Sequence, residues 1–144
     1  MRREFVVAAY VIDKGKVLLV NHKKLHQWLP LGGHIEKDEL PDEAVVREVK
    51  EESGLDVDFL QETHPKFKGN ILKRPFIVAL EDIDREHQHI DFQYICTLKG
   101  NDKITGTEEC KWFDENELDD LENCSEGIKY FAKEAINTIK SLNG

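Results

Sequence analysis

Apolar positions change their period along this chain, and each change marks an element. Residues 5–13 and 16–21 (FVVAAYVID and KVLLVN) are rich in Val, Leu and Ala, and the charged Asp13-Lys14-Gly15-Lys16 joins them like a hairpin turn. Residues 22–33 keep no period and are punctuated by Pro30 and Gly32-Gly33, which predicts a loop. From residue 41 to 53 the pattern is helical, and Gly54 supplies the expected stop. Residues 55–60, 71–80 and 87–98 look like strands. Residues 125–142 place Ile128, Phe131, Ala132, Ala135, Ile136, Ile139 and Leu142 on one stripe, an amphipathic closing helix with Ser125 as its cap. Strands, helix, strands and helix in that order predict one α/β domain over residues 1–144, with a mixed β-sheet between helices.

Composition narrows the function. The chain has 144 residues, of which 40% are hydrophobic, enough to bury a real core. No run approaches the roughly 18 apolar residues of a membrane span, so no membrane partner is expected. Charged residues 13–16 interrupt the apolar N-terminus where a signal peptide would need small residues, so a cytoplasmic location is the default. Cys96, Cys110 and Cys124 are odd in number and show no CxxC spacing, which points to reduced, structural thiols rather than to a disulfide framework or a zinc site.

Net charge is −9, from 29 acidic and 20 basic residues, opposite to what a nucleic-acid polymer requires of its partner. An acidic site can still take phosphates when divalent cations stand between the two sets of negative charge.

That condition gives meaning to the segment GGHIEKDELPDEAVVREVKEESGL, residues 32–55. With Glu48 at the origin of a helical wheel, Glu52 falls at roughly 40° and Glu51 at roughly −60°, so the carboxylates share a face. Val45, Val49 and Val46 fall at roughly 60°, 100° and 160°, an adjacent apolar face able to pack on the sheet. Like charges so close are unfavourable unless a cation joins them, and one arginine, Arg47, four residues before Glu51, does not neutralise three glutamates. Hard oxygen ligands at this spacing suit Mg²⁺ or Mn²⁺, although a solvated acidic face has the same composition. The flanks favour a site. Gly32-Gly33 lets backbone approach a ligand, Pro41 suits the first helical position, and Glu43 lies at the positive end of the helix dipole.

Gly33, Glu39, Arg47-Glu48-Val49, Glu51-Glu52 and Gly54-Leu55, at these spacings, resemble a complete Nudix box, the motif of the Nudix (MutT-like) hydrolase family. One departure is Leu40, where similar proteins often carry a Ser or Thr cap; Asp38 or Glu39 is expected to substitute. The resemblance implies an α/β/α sandwich. It also implies a pyrophosphohydrolase with Mg²⁺ or Mn²⁺ as cofactor and a small-molecule nucleotide as substrate. A homodimer is compatible with it.

Carried over residue by residue, the resemblance implies Glu48 and Glu52 as metal ligands, with Glu51 as a further ligand or the carrier of a water. The Gly32 carbonyl is an additional ligand. Arg47 orients Glu51, and Glu39 fixes the loop–helix geometry. Glu108 and Glu109 are the proton acceptors outside the box to consider, and His26, Trp28, His34 and Glu109 the substrate contacts. Trp28 reads equally as a hydrophobic anchor, His34 as loop packing, and Trp112-Phe113 as core. The loop 22–31 and the segment 61–74 are expected to choose the substrate.

Neither the proline that often follows the box in ADP-ribose enzymes nor the tyrosine of diadenosine-polyphosphate enzymes is in place. A nucleoside triphosphate, an oxidised nucleotide or a nucleotide sugar therefore stays open. A non-catalytic nucleotide-sensing module is the alternative, disfavoured by the intact ligand set. A prenyl-diphosphate isomerase would want a cysteine in the site, and none is expected near the box.

Overall fold

The computed structural model describes residues 1–60 and 69–143. β1 (Arg2–Asp13) and β2 (Lys16–His22) form the expected hairpin, with Val11 opposite Leu18. Residues 22–33 are not simply a loop. They contain β3 (Gln27–Leu29), antiparallel to β2, and β4 (Leu31–His34), antiparallel to the first half of β1. Sheet pairing overrides the local irregularity here, because β2 leaves the first half of β1 unpaired on that side and β4 fills it. α1 spans Pro41–Ser53 as expected.

β5 (Val57–Phe59) is shorter than expected, and β6 (Ile77–Asp84) begins and ends later than the apolar pattern of 71–80 suggested. β7 (His87–Leu98) runs parallel to β1 from Arg2 opposite His87 to Ile12 opposite Thr97, and antiparallel to β5 and β6. β8 (Cys110–Phe113) pairs with β2, followed by α2 (Glu115–Asp120) and α3 (Glu126–Asn143). The sheet is therefore mixed, as expected.

Alternation along β1 divides the core in two. Val7, Ala9 and Val11 pack with Leu18, Leu31 and the α1 residues Ala44, Val45 and Val49. Tyr10 and Ile12 pack on the other face with Ile95, Phe113 and the α3 residues Ala132, Ala135 and Ile136. The result is an α/β/α sandwich. Val46 and Leu142, assigned to apolar faces by periodicity, are exposed instead. No described helix is long and apolar enough to cross a membrane.

The helix ends explain where α1 begins and stops. Neither Asp38 nor Glu39 replaces the missing cap at Leu40. That cap is left unreplaced; the Glu43 carboxylate reaches back instead to the Leu40 N–H, accepting from it at 2.9 Å, which is the other half of a capping box. At the far end Gly54 turns left-handed (φ +80°) and donates its N–H to the Lys50 carbonyl. Ser125 caps α3 as expected, its Oγ accepting from the Ile128 N–H at 3.2 Å.

Candidate active site

α1 is pinned by Val45 and Val49, both wholly buried. Each contributes about 1.5–3 kcal/mol, against a few tenths of a kcal/mol, about 0.2–0.5, for each like-charge pair on a helix surface. The hydrophobic face wins, so the carboxylates are held together despite their repulsion.

Arg47 is the hub of the site. Its Nε donates to Glu39 Oε2 at 2.7 Å and its Nη2 to Glu39 Oε1 at 2.9 Å, a bidentate pair. Nη1 donates to Glu48 Oε1 at 2.7 Å, and Nη2 also reaches the His34 carbonyl at 3.0 Å. Its contact with Glu51, expected to be the principal one, is the longer at 3.4 Å. Glu51 is largely exposed, so its pair with Arg47 is weakly restrained. The Arg47 hydrogen bond holds the Glu39 carboxyl below the usual range. Glu39 also accepts from the Glu36 N–H at 3.0 Å, which closes the loop before the helix.

Glu52 is fixed from the sheet. The Gly32 N–H donates to its Oε1 at 2.8 Å. Burial, with the charges of Glu48, Glu108 and Glu51 added, pushes its carboxyl up to about 7, against the lowering effect of the Gly32 bond. Burial likewise raises Glu48, and the Arg47 hydrogen bond opposes it. A Cβ at Gly33 would stand 2.7 Å from Glu48 Oε1 and displace that carboxylate, whereas one at Gly32 would stand 2.0 Å from the Val7 carbonyl oxygen, which the sheet holds in place. Gly33 thus lets β4 lie against the Glu48 carboxylate, and Gly32 lets it lie against β1.

The segment before β8 completes the site; the sequence offers its Glu108 and Glu109 as candidates, but not the backbone contacts of Thr105 and Thr107 with α1. Thr105, Thr107 and Glu108 donate their N–H groups to the carbonyls of Ser53, Glu51 and Glu52 at 2.9, 3.4 and 3.2 Å, satisfying the open end of α1. Glu108 is thereby brought beside Glu52. Glu109 lies on the other side of the strand start, accepting from Asn21 Nδ2 at 3.3 Å. Cys110, remote in sequence, comes near the box after all, with Sγ 3.6 Å from the Glu52 carbonyl. Burial pushes its thiol up to about 12, so it is protonated and a poor nucleophile.

The expected substrate contacts separate. His26 lies in the β2–β3 turn at φ +53°. Trp28 packs edge-on against Phe113 at 5.0 Å, in the core on the α3 side and away from α1. Trp112 packs against the opposite, α1-side core. His34 turns its ring to the face of the sheet opposite α1, 3.5 Å from Glu4. Of segment 61–74, residues 61–68 lie outside the described residues.

A model of the NUDIX domain matches residues 2–133, and the chain belongs to the Nudix family. The crystal structure of a NUDIX-family hydrolase from Clostridium perfringens is similar at a TM-score of 0.84 and 36% identity, covering 96% of this chain and 99% of that one. An ADP-ribose pyrophosphatase from Streptococcus suis 89-1591 shares the fold at a TM-score of 0.62 and 24% identity, covering 94% and 90%. A probable DHNTP pyrophosphohydrolase from Lactococcus lactis subsp. cremoris (strain MG1363) is 29% identical over 92 residues, 64% of this chain. The chain spans about half, 52%, of the length of that curated relative.

Proposed function

We propose that this protein is a divalent-metal-dependent pyrophosphohydrolase acting on a nucleoside diphosphate linked to another moiety: a nucleoside triphosphate, an oxidised nucleotide or a nucleotide sugar. The observation that carries this reading is the fixed pair of carboxylates. Glu48 is held by Arg47 and Glu52 by the Gly32 N–H, on one helix face with too little positive charge to balance them. The donor set is all hard oxygen, which suits Mg²⁺ or Mn²⁺ better than softer ions.

Glu48 and Glu52 would hold the cation, with Glu51 and the Gly32 carbonyl as further ligands. When bound, the ion neutralises diphosphate charge and makes bound water a better nucleophile. Arg47 keeps Glu48 in position and Glu39 keeps Arg47 in position. Glu108, beside Glu52, is better placed than Glu109 to accept the proton of the attacking water. The pyrophosphohydrolase named among the relatives supports the reaction class.

A panel of nucleoside triphosphates, oxidised nucleotides and nucleotide sugars, assayed for phosphate release with Mg²⁺, Mn²⁺ or chelator, tests this. Turnover that depends on the ion is expected. Tight binding of the same compounds without turnover would instead mark a nucleotide-sensing module.

A further inference from the structure

On the sheet face opposite α1, at the open end not covered by α3, four metal-ligating side chains converge from three strands. β1 supplies Glu4, β4 supplies His34, and β7 supplies His87 and His89. Ligand atoms of Glu4, His87 and His89 all lie within 4.8 Å of one another. His87 Nε2 bonds Glu4 Oε1, and the Nε2 atoms of His34 and His89 stand 3.5 and 3.9 Å from that same oxygen. The His89 ring lies nearly perpendicular to those of His34 and His87, at 5.1 and 4.9 Å. His89 Nε2 is buried and has no hydrogen-bond partner, a cost to folding that a ligand would remove. Nothing in the hydrolytic reaction above uses these residues, and the inference does not rest on it.

We propose that Glu4, His34, His87 and His89 form a second metal site, specific for a borderline divalent ion such as Zn²⁺ and distinct from the carboxylate site on α1. Three imidazoles and one carboxylate are the donor set that zinc accepts in four-coordinate geometry, whereas Mg²⁺ prefers oxygen. Ligand atoms about 2.0–2.1 Å from a tetrahedral zinc stand about 3.3 Å apart; the His34 and His89 Nε2 atoms stand somewhat further, 3.5 and 3.9 Å, from the Glu4 oxygen, so the exposed His34 and Glu4 side chains would draw in around the ion. Binding has a stereochemical consequence. Arg2 donates to His87 Nδ1 at 3.1 Å, which leaves the proton of a neutral ring on Nε2. Metal on Nε2 moves that proton to Nδ1, so the exposed Arg2 side chain must swing away. The ion would tie the start of β1 to β4 and β7, stabilising the fold at the end that lacks a covering helix.

The test is Zn²⁺ titration of the full chain by calorimetry in excess Mg²⁺, which occupies the carboxylate site. One equivalent of Zn²⁺ is expected, with a rise in melting temperature. The double variant His87→Gln/His89→Gln should bind at least about 100-fold more weakly, and Glu52→Gln should bind as wild type. Should the double variant not fold, as judged by circular dichroism, Glu4→Gln and His34→Ala each provide the same readout at the exposed rim. Co²⁺ should give the visible bands of tetrahedral coordination in wild type and lose them in these variants. No stoichiometric Zn²⁺ uptake, or uptake that survives the histidine substitutions through Cys110, Cys124 or the α1 carboxylates, overturns the proposal.

Discussion

The Arg47 guanidinium meets the Glu39 carboxylate edge to edge, with Nε–Oε2 at 2.7 Å and Nη2–Oε1 at 2.9 Å. The pair is what makes the single arginine rigid, because the same guanidinium extends its third nitrogen to Glu48. Spacing along α1 suggested Glu51, four residues on, as the partner. The loop before the helix instead folds Glu39 back onto Arg47, and a bidentate pair is stronger than an exposed i,i+4 contact.

Arg47→Ala should therefore lower kcat by about 10–100-fold through loss of Glu48 positioning, with a smaller change in KM. Arg47→Lys should restore little, since an ammonium cannot match the fork. Steady-state kinetics on any accepted substrate decide the matter. A rise in KM with kcat preserved would assign Arg47 to substrate binding instead.

Glu52 separates activity from stability. Glu52→Gln keeps an oxygen for the Gly32 N–H but removes a buried charge, so the variant should lose at least about 100-fold in activity. Its melting temperature in chelator should equal or exceed that of wild type, because desolvation and like charges already push the Glu52 carboxyl up to about 7. Mg²⁺ should then raise the melting temperature of wild type more than that of the variant. Full hydrolytic activity of wild type in excess chelator would sink the metal assignment.

What the sequence made legible were the elements with long, strict periods. α1, β7, the β1–β2 hairpin and the stripe of α3 needed only local pattern. β3, β4 and β8 are three or four residues long, too short for any period, and exist because β1 and β2 offer unpaired edges. The box glutamates were visible as a helix face and Glu108 as a nearby carboxylate, but the docking of Thr105–Glu108 on the end of α1 was not, because it acts through backbone N–H groups that leave no residue-type signal. Cys110 reaches the box only through that long-range return.

Trp28 shows the same limit. Its position in an irregular segment invited a role in stacking on a base, whereas strand pairing directs it to Phe113 and the α3-side core. Trp28→Ala should accordingly destabilise the fold by about 2 kcal/mol, less than a fully buried tryptophan because the side chain is only half-buried. It should scale kcat/KM for all substrates by one common factor. Denaturant melts beside a substrate panel check both; a selective change of about 10-fold among substrates would return Trp28 to the binding site.

Glu81 and Asp91 face one another between β6 and β7 and make folding depend on pH in a definite direction. Burial, then the hydrogen bond to Asp91 and its charge, push the Glu81 carboxyl up to about 8, and burial raises Asp91 as well. A proton on Glu81 lets it donate to Asp91, whose carboxylate otherwise has a donor only at Oδ2, from Gln93 at 3.1 Å. The folded state thus binds this proton more tightly than the unfolded chain, whose carboxyl titrates near the ordinary 4.5. Stability from the pair is fully present below that ordinary value and is lost as pH rises through about 8. Glu81→Gln keeps a donor at every pH. It should match wild type near about pH 5 and exceed it near about pH 8.5 by on the order of 2 kcal/mol, after allowance for the half-exposed carboxyl. Effects of opposite sign from His89, whose imidazole is lowered by burial, are present in both proteins and cancel in the difference. Urea melts at the two pH values, in chelator to keep metals out, provide the measurement. A gap that stays constant with pH, or closes as pH rises, would falsify the shared proton.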